Sequence, residues 1–177
     1  MKKTVVLLLT FLLFFSCSPQ KNSENFIKEF SGRYLFNANE VIEIYFKNNE
    51  LFIKWRGDEN IRPLKVNDST FYMKELNEKI IFISKPNVHI ELAEKVEHKG
   101  EKYFFKKLKQ NEKTPLELVE SGEFDKALQA YLKIKKQDSL NLSISRSTIN
   151  KLGYSFLRKN QNKKAIEIFK INCIILI

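Results

Sequence analysis

The sequence predicts an α+β protein of two modules, a small antiparallel β barrel or sandwich followed by an α-helical hairpin module. Two observations carry this. Between Phe26 and Leu108, short β-branched or aromatic runs alternate with polar breakers, the period-two signature of strands. From Glu123 onward, apolar residues recur at three- and four-residue intervals, the period of an amphipathic helix. The change falls in the polar segment 109–114, so the chain divides into 1–16, 17–25, 26–108 and 109–177.

Residues 1–16 have the form of a secretory signal peptide: a basic "MKK", the apolar run "TVVLLLTFLLFF" and a small residue, Ser16. Spanning a bilayer needs roughly 20 apolar residues, more than this run or any later one supplies. "LFFSC" resembles the lipobox of bacterial lipoproteins, which implies that Cys17 is acylated and becomes the mature N-terminus. Ser18 after that cysteine, in place of Asp, resembles an outer-membrane destination. Ordinary cleavage nearby would instead leave Cys17 a free thiol. The only other cysteine is Cys173, so no disulfide is expected despite export. Loss of Lys2 and Lys3 with the leader leaves 29 basic against 21 acidic residues. Such a surface favours acidic partners or anionic lipid headgroups. Nucleic acid is not expected as a partner, because the lysines are scattered and the protein is exported.

The segment "CSPQKNSEN" (17–25) is polar and aperiodic, as a flexible tether is. Strands are then expected at 32–36, 41–46, 51–55, 62–66, 70–74, 79–83, 88–92 and 102–108. The Asn48-Asn49 pair is a hairpin signal, and Asn67-Asp68, Asn77-Glu78, Pro86-Asn87 and Lys99-Gly100 are further turn candidates. Hairpin-connected strands without intervening helices read as a barrel or sandwich. Its aromatic residues, including Tyr34, Phe46, Phe52, Trp55, Phe71, Phe82 and Phe104, are expected in the core. Their functional alternative is a pocket for a small apolar ligand. The stretch "FSGRYLFNANEVIEIYFKNNELFIKW" is similar to the accessory β domain that follows the catalytic domain in β-lactamase-like serine hydrolases. The resemblance covers the accessory domain alone, so no catalytic domain is expected among these residues.

In the second half, Phe124, Ala127, Leu128, Tyr131 and Leu132 share one helical stripe. The stretch "NKLGYSFLRKNQNKKAIEIF" (150–169) then carries a denser pattern. It resembles the tetratricopeptide repeat, in which two antiparallel helices cross at small residues surrounded by large apolar ones. Ile149, Leu152, Gly153, Phe156, Ala165 and Phe169 fall on all six marked positions of that repeat. The resemblance implies that Gly153 and Ala165 let the helices approach while Phe156 and Phe169 fill the flanks. An earlier copy is partial: Ala127 and Tyr131 fit, but Pro115 stands where a small residue belongs. "DSLNLS" would absorb the extra residues between the copies. At the end of the chain, Asn172 stands where Ala is usual, and Ile174 to Ile177 cannot all lie on one helical face. An exposed, adhesive C-terminus is therefore expected, covered by the β module, a second copy or a partner.

The chemistry-bearing residues are sparse. His89 alternates with Glu91 and shares its strand face; without another nitrogen or sulfur ligand nearby, a solvated face is expected rather than a metal site. His98, beside Lys99-Gly100, reads as a turn residue. Ser18 and Lys21 have the Ser-x-x-Lys spacing of penicillin-recognising hydrolases. That motif opens a buried helix, whereas here it lies in a tether, so no catalytic role is expected. No phosphate loop, Cys-x-x-Cys or His-Glu-x-x-His occurs. The expectation is a non-enzymatic, cofactor-free envelope lipoprotein that binds protein. Alternatives are a split-off accessory part of a serine hydrolase and a small-ligand carrier.

Overall fold

The structure, a computed structural model, describes residues 21–96, 99–100 and 102–175. Cys17, Ser18, the leader, His98, Leu176 and Ile177 lie outside the described residues. The architecture is α+β: two antiparallel sheets, then a set of helices. Among the described residues, no helix is long and apolar enough to cross a membrane.

The chain enters through a helix that sequence periodicity did not reveal, α1 (Glu24–Phe30). The expected tether up to Asn25 is therefore corrected, since Glu24 and Asn25 are already helical. Ser23 caps α1 by accepting a hydrogen bond from the Phe26 backbone N–H at 3.2 Å. With only seven residues, α1 is too short to display a period, and tertiary contacts sustain it. The Phe26 ring meets Phe30, Phe46, Phe71 and Phe82 at centroid distances of 4.7 to 6.1 Å. Both sheets contribute to that cluster, so α1 joins them through one aromatic core.

The first sheet is a meander of β1 (Gly32–Asn37), β2 (Glu40–Lys47), β3 (Glu50–Trp55) and β4 (Asp58–Ile61). The second is β5 (Leu64–Lys65), β6 (Thr70–Met73), β7 (Glu78–Ile83), β8 (His89–Leu92) and β9 (Phe104–Lys106). Asn48 and Asn49 have φ of 51° and 66°, as a two-residue hairpin turn with matching twist requires. Arg56 and Gly57 repeat this geometry at φ 52° and 84° and add β4, a strand that the sequence reading lacked. The reasons are chemical: Arg is no turn marker, and "DENI" has no alternation. The strand expected at 62–66 shrinks to Leu64–Lys65, because Pro63 has no N–H to give the ladder. A single antiparallel bridge, Tyr34 to Lys107, links β1 to the segment just after β9, and Leu108 N–H donates to the Arg33 carbonyl at 2.7 Å.

Tyr34, Trp55, Phe71 and Phe82 lie in the core as expected, and Phe46 packs at its margin. Phe52 and Phe104 do not. Phe52 is on the outer face of β3, stacked on Tyr45 at 5.6 Å under the Lys47 ammonium. Phe104 is exposed, because alternation along β9 turns the adjacent Phe105 inward. In a two-aromatic run, only the register decides which ring is buried.

The helical half comprises α2 (Pro115–Glu120), α3 (Phe124–Gln137), a 3-10 turn (Leu142–Ile144), α4 (Arg146–Arg158) and α5 (Asn162–Ile175). The β1–β2 turn reaches into this half. Ala38 belongs to the helical core, and its carbonyl accepts from Leu116 N–H at 3.3 Å. The fully buried Tyr131 donates its hydroxyl to Asn39 Oδ1 at 2.5 Å, while Asn39 Nδ2 donates to the Ser143 carbonyl at 2.7 Å. Arg33 adds an ion pair to Glu117 and a hydrogen bond to the Glu112 carbonyl at 3.1 Å. Burial pushes the Tyr131 phenol well above its ordinary pKa, so it remains a neutral donor.

These contacts make Asn39 the residue to test. Asn39→Ala should destabilise the chain by about 1 to 3 kcal/mol, because it leaves the Tyr131 hydroxyl buried without an acceptor. Tyr131→Phe added to that variant should cost less than the sum of the two single changes. Urea denaturation of the four proteins measures the coupling, and strictly additive losses would show that the bond contributes nothing.

Candidate functional site

The helical hairpin of α4 and α5 assembles the residues singled out by the sequence. Ser145 caps α4 by accepting from Thr148 N–H at 3.3 Å. The helix ends at Arg158, and Asn160, two residues on, takes the left-handed conformation with φ 57°. There Gln161 N–H donates to the Phe156 carbonyl and Asn160 N–H to the Leu157 carbonyl, both at 2.9 Å. This paired-bond ending satisfies the last carbonyls and reverses the chain at once. It sets α5 antiparallel against α4.

Ile149, Gly153, Phe156 and Ala165 are buried between these helices, with Leu152 and Phe169 half-buried beside them. Gly153 is there for proximity. A Cβ at this position would come within 2.4 Å of Phe169 Cε1, a distance no side chain can occupy. Ala165 is fully buried as well. The earlier partial copy is also present: α2 and α3 pack with Ala127 and Tyr131 fully buried. Pro115 is the first residue of α2, behind a capping box in which Thr114 and Glu117 bond reciprocally at 2.8 and 3.3 Å. The misfit at Pro115 is thus a helix start, and it shortens the first helix of that pair to six residues. Glu123, between α2 and α3, accepts from Lys113, Lys126 and Ser121, which together draw its carboxyl down to about 2.

Asn172 is buried on α5, with Nδ2 donating to Asn150 Oδ1 at 2.7 Å. At the end of α5, Ile171 and Ile175 are buried against the helical core, while Cys173 and Ile174 are exposed. His89 corrects the expectation of a solvated face. It is 5% exposed, its ring lies 4.3 Å from the Phe104 ring, and Nδ1 contacts the Asn87 carbonyl at 2.7 Å. Glu91 shares its face at 3.2 Å, as alternation requires. The exposed Phe104 covers the imidazole, which no spacing rule could have foretold. Among the described residues, no group of three His, Cys, Asp or Glu side chains could hold a metal. Ala38 and Asn39, which join the two halves, went unrecognised; Asn37-Ala38-Asn39 reads locally as an ordinary turn.

Comparisons of the chain with known protein families, with curated proteins and with solved structures returned no match.

The hairpin geometry gives a direct test. Ala165→Leu should overpack the crossing and cost roughly 1 to 3 kcal/mol, read as a lowered thermal midpoint. A variant that melts with the wild type would show that the two helices do not approach at Ala165.

Proposed function

We propose that the chain is a lipid-anchored protein of the bacterial cell envelope, held at Cys17 in the outer membrane, whose helical half is an incomplete tetratricopeptide unit that binds protein. On this reading it performs no chemistry itself. The observation that carries the reading is the α4–α5 contact, where the residues at all six repeat positions converge and Gly153 lies directly beneath the Phe169 ring. Small residues at a crossing, flanked by large apolar ones, are what a stacking helical hairpin needs. The same reading takes the two sheets, nine strands among the described residues, as a barrel open at the β4–β5 seam, with α1 packed against both. The rings of Phe30, Tyr34, Trp55, Phe71, Phe82 and Phe105 fill the interior, and this favours a structural over a carrier role for the β half.

Anchoring follows from acylation. Each buried acyl CH₂ contributes about 0.8 kcal/mol, so two or more chains hold the protein firmly where one would not. Mass spectrometry of the protein purified from membranes should find Cys17 as an acylated N-terminus. An unmodified N-terminus would remove the anchor from the reading. For binding, a photo-reactive residue placed at Gln129 or Ile166 should trap a defined envelope protein. The same residue at Lys54, on the outer face of β3, should not. Capture solely from Lys54 would move the binding role to the sheets.

A further inference from the structure

Beside the buried stripe of the hairpin runs a second apolar stripe that the fold leaves uncovered. On α4, Tyr154 is 55% and Leu157 39% exposed; on α5, Ile166 is 53% exposed and Phe169 half-buried. The Tyr154 and Phe169 rings meet edge-on at 5.3 Å, so the stripes of the two antiparallel helices form one shallow furrow. Cys173 continues the α5 side of it, seven residues beyond Ile166, and is an exposed free thiol.

The charge around this furrow is predominantly basic. Residues 146–175 contain seven Lys or Arg and a single acid, Glu167. Lys151 and Arg158 lie three residues before and four after Tyr154, and Lys163 and Lys170 stand in the same relation to Ile166. Residues at those offsets are neighbours on a helix surface, so each central apolar side chain is bracketed by two cations. Lys170 pairs with Glu167 at 2.8 Å. Among the described residues, Lys151, Arg158 and Lys163 have no ion-pair partner; Lys163 instead sits 5.9 Å from the Phe124 ring.

We propose that this furrow docks an acidic amphipathic helix of a protein partner. The inference rests on the protein-binding reading and names the chemistry of the partner. A furrow between two antiparallel helices accepts the ridge of a third, with apolar anchors at i, i+3 or i+4 and i+7. Carboxylates flanking those anchors would face Lys151, Arg158 and Lys163, which gives the pairing its sign and its salt dependence. An anionic membrane could satisfy the charges, but its flat surface does not use a furrow shared by two helices.

The test takes the intact lipoprotein in detergent and selects from a displayed library of random 16-residue peptides, with counter-selection on the Ile166→Glu variant. Enriched peptides should carry an excess of Asp and Glu and an apolar stripe of helical period. Their binding should weaken at least about tenfold in Tyr154→Glu and in Ile166→Glu, and should fall as salt rises. Thermal melts should coincide with the wild type, since both side chains are exposed. An environment-sensitive dye on Cys173 should shift to the blue on peptide binding. No enrichment, peptides without acidic excess, or equal binding to the variants would overturn the proposal. So would a blue shift in phosphatidylglycerol but not phosphatidylcholine vesicles without peptide, which would assign the furrow to a membrane. Self-association that Ile166→Glu abolishes would assign it to a second copy. Labelling of two thiols rather than one would instead count against acylation of Cys17 and leave the furrow unaffected.

Discussion

Tyr131 is fully buried in the helical half, and its hydroxyl donates to Asn39, a residue of the β1–β2 turn. It is the buried centre of the joint between the halves, which Leu116 N–H to the Ala38 carbonyl, Asn39 Nδ2 to the Ser143 carbonyl and Arg33 to Glu117 complete. The first helical pair is short on one side, because α2, which starts at Pro115, is only six residues long. A hairpin so truncated leaves part of its apolar face without a helix to cover it, and stacked helical pairs need such cover. Here the β1–β2 turn supplies it: Ala38 enters the helical core, and Asn39 meets the polar groups of α3 and the 3-10 turn. An unpaired phenol would be costly in that position, so the bond specifies the docking geometry as much as it stabilises it.

From that joint outward, the order of construction is plain. Arg33 and Glu117 reinforce the contact at its rim, where solvent screening keeps the contribution of one ion pair small. Behind it α3 is held in place, and α5 packs on α2 and α3 as well as on α4. The contact of α4 with α5 is then governed by the space beside Gly153, which the Phe169 ring occupies. Because that ring is drawn towards Gly153, it also meets Tyr154, and the two exposed stripes become one furrow. A packing constraint inside the hairpin thus shapes the surface outside it.

The β half follows a different logic. Its two sheets are joined by aromatic rings from α1, and the Tyr34 hydroxyl, kept neutral by burial, donates to the Phe30 carbonyl at 2.9 Å to tie the helix to β1. Lys107 donates to the Glu29 carbonyl at 2.5 Å, and its partial burial lowers its pKa. The helix end is therefore held by β1 and by the segment after β9 that bridges to it.

Legible in the residues alone were the α+β class, eight of the nine strands among the described residues to within about two residues and, through the likeness to the tetratricopeptide frame, the buried set Ile149, Gly153, Phe156 and Ala165. Each of these depends on a period or an offset along one segment of chain, and short-range geometry converts it directly into a buried face. The features that depend on long-range contacts have no such local signature. α1 is seven residues held by rings from two sheets, and β4 owes its place to an Arg-Gly turn that its own polar residues do not announce. Phe52 and Phe104 were drawn into the expected core by their type and left out of it by register, whereas His89 became buried because Phe104 lies across it. Asn39 and Tyr131 are 92 positions apart, and only the closed chain brings a turn amide within reach of a helix phenol. A hydrogen bond of that span leaves no trace in spacing, since neither residue has a periodic reason to be where it is.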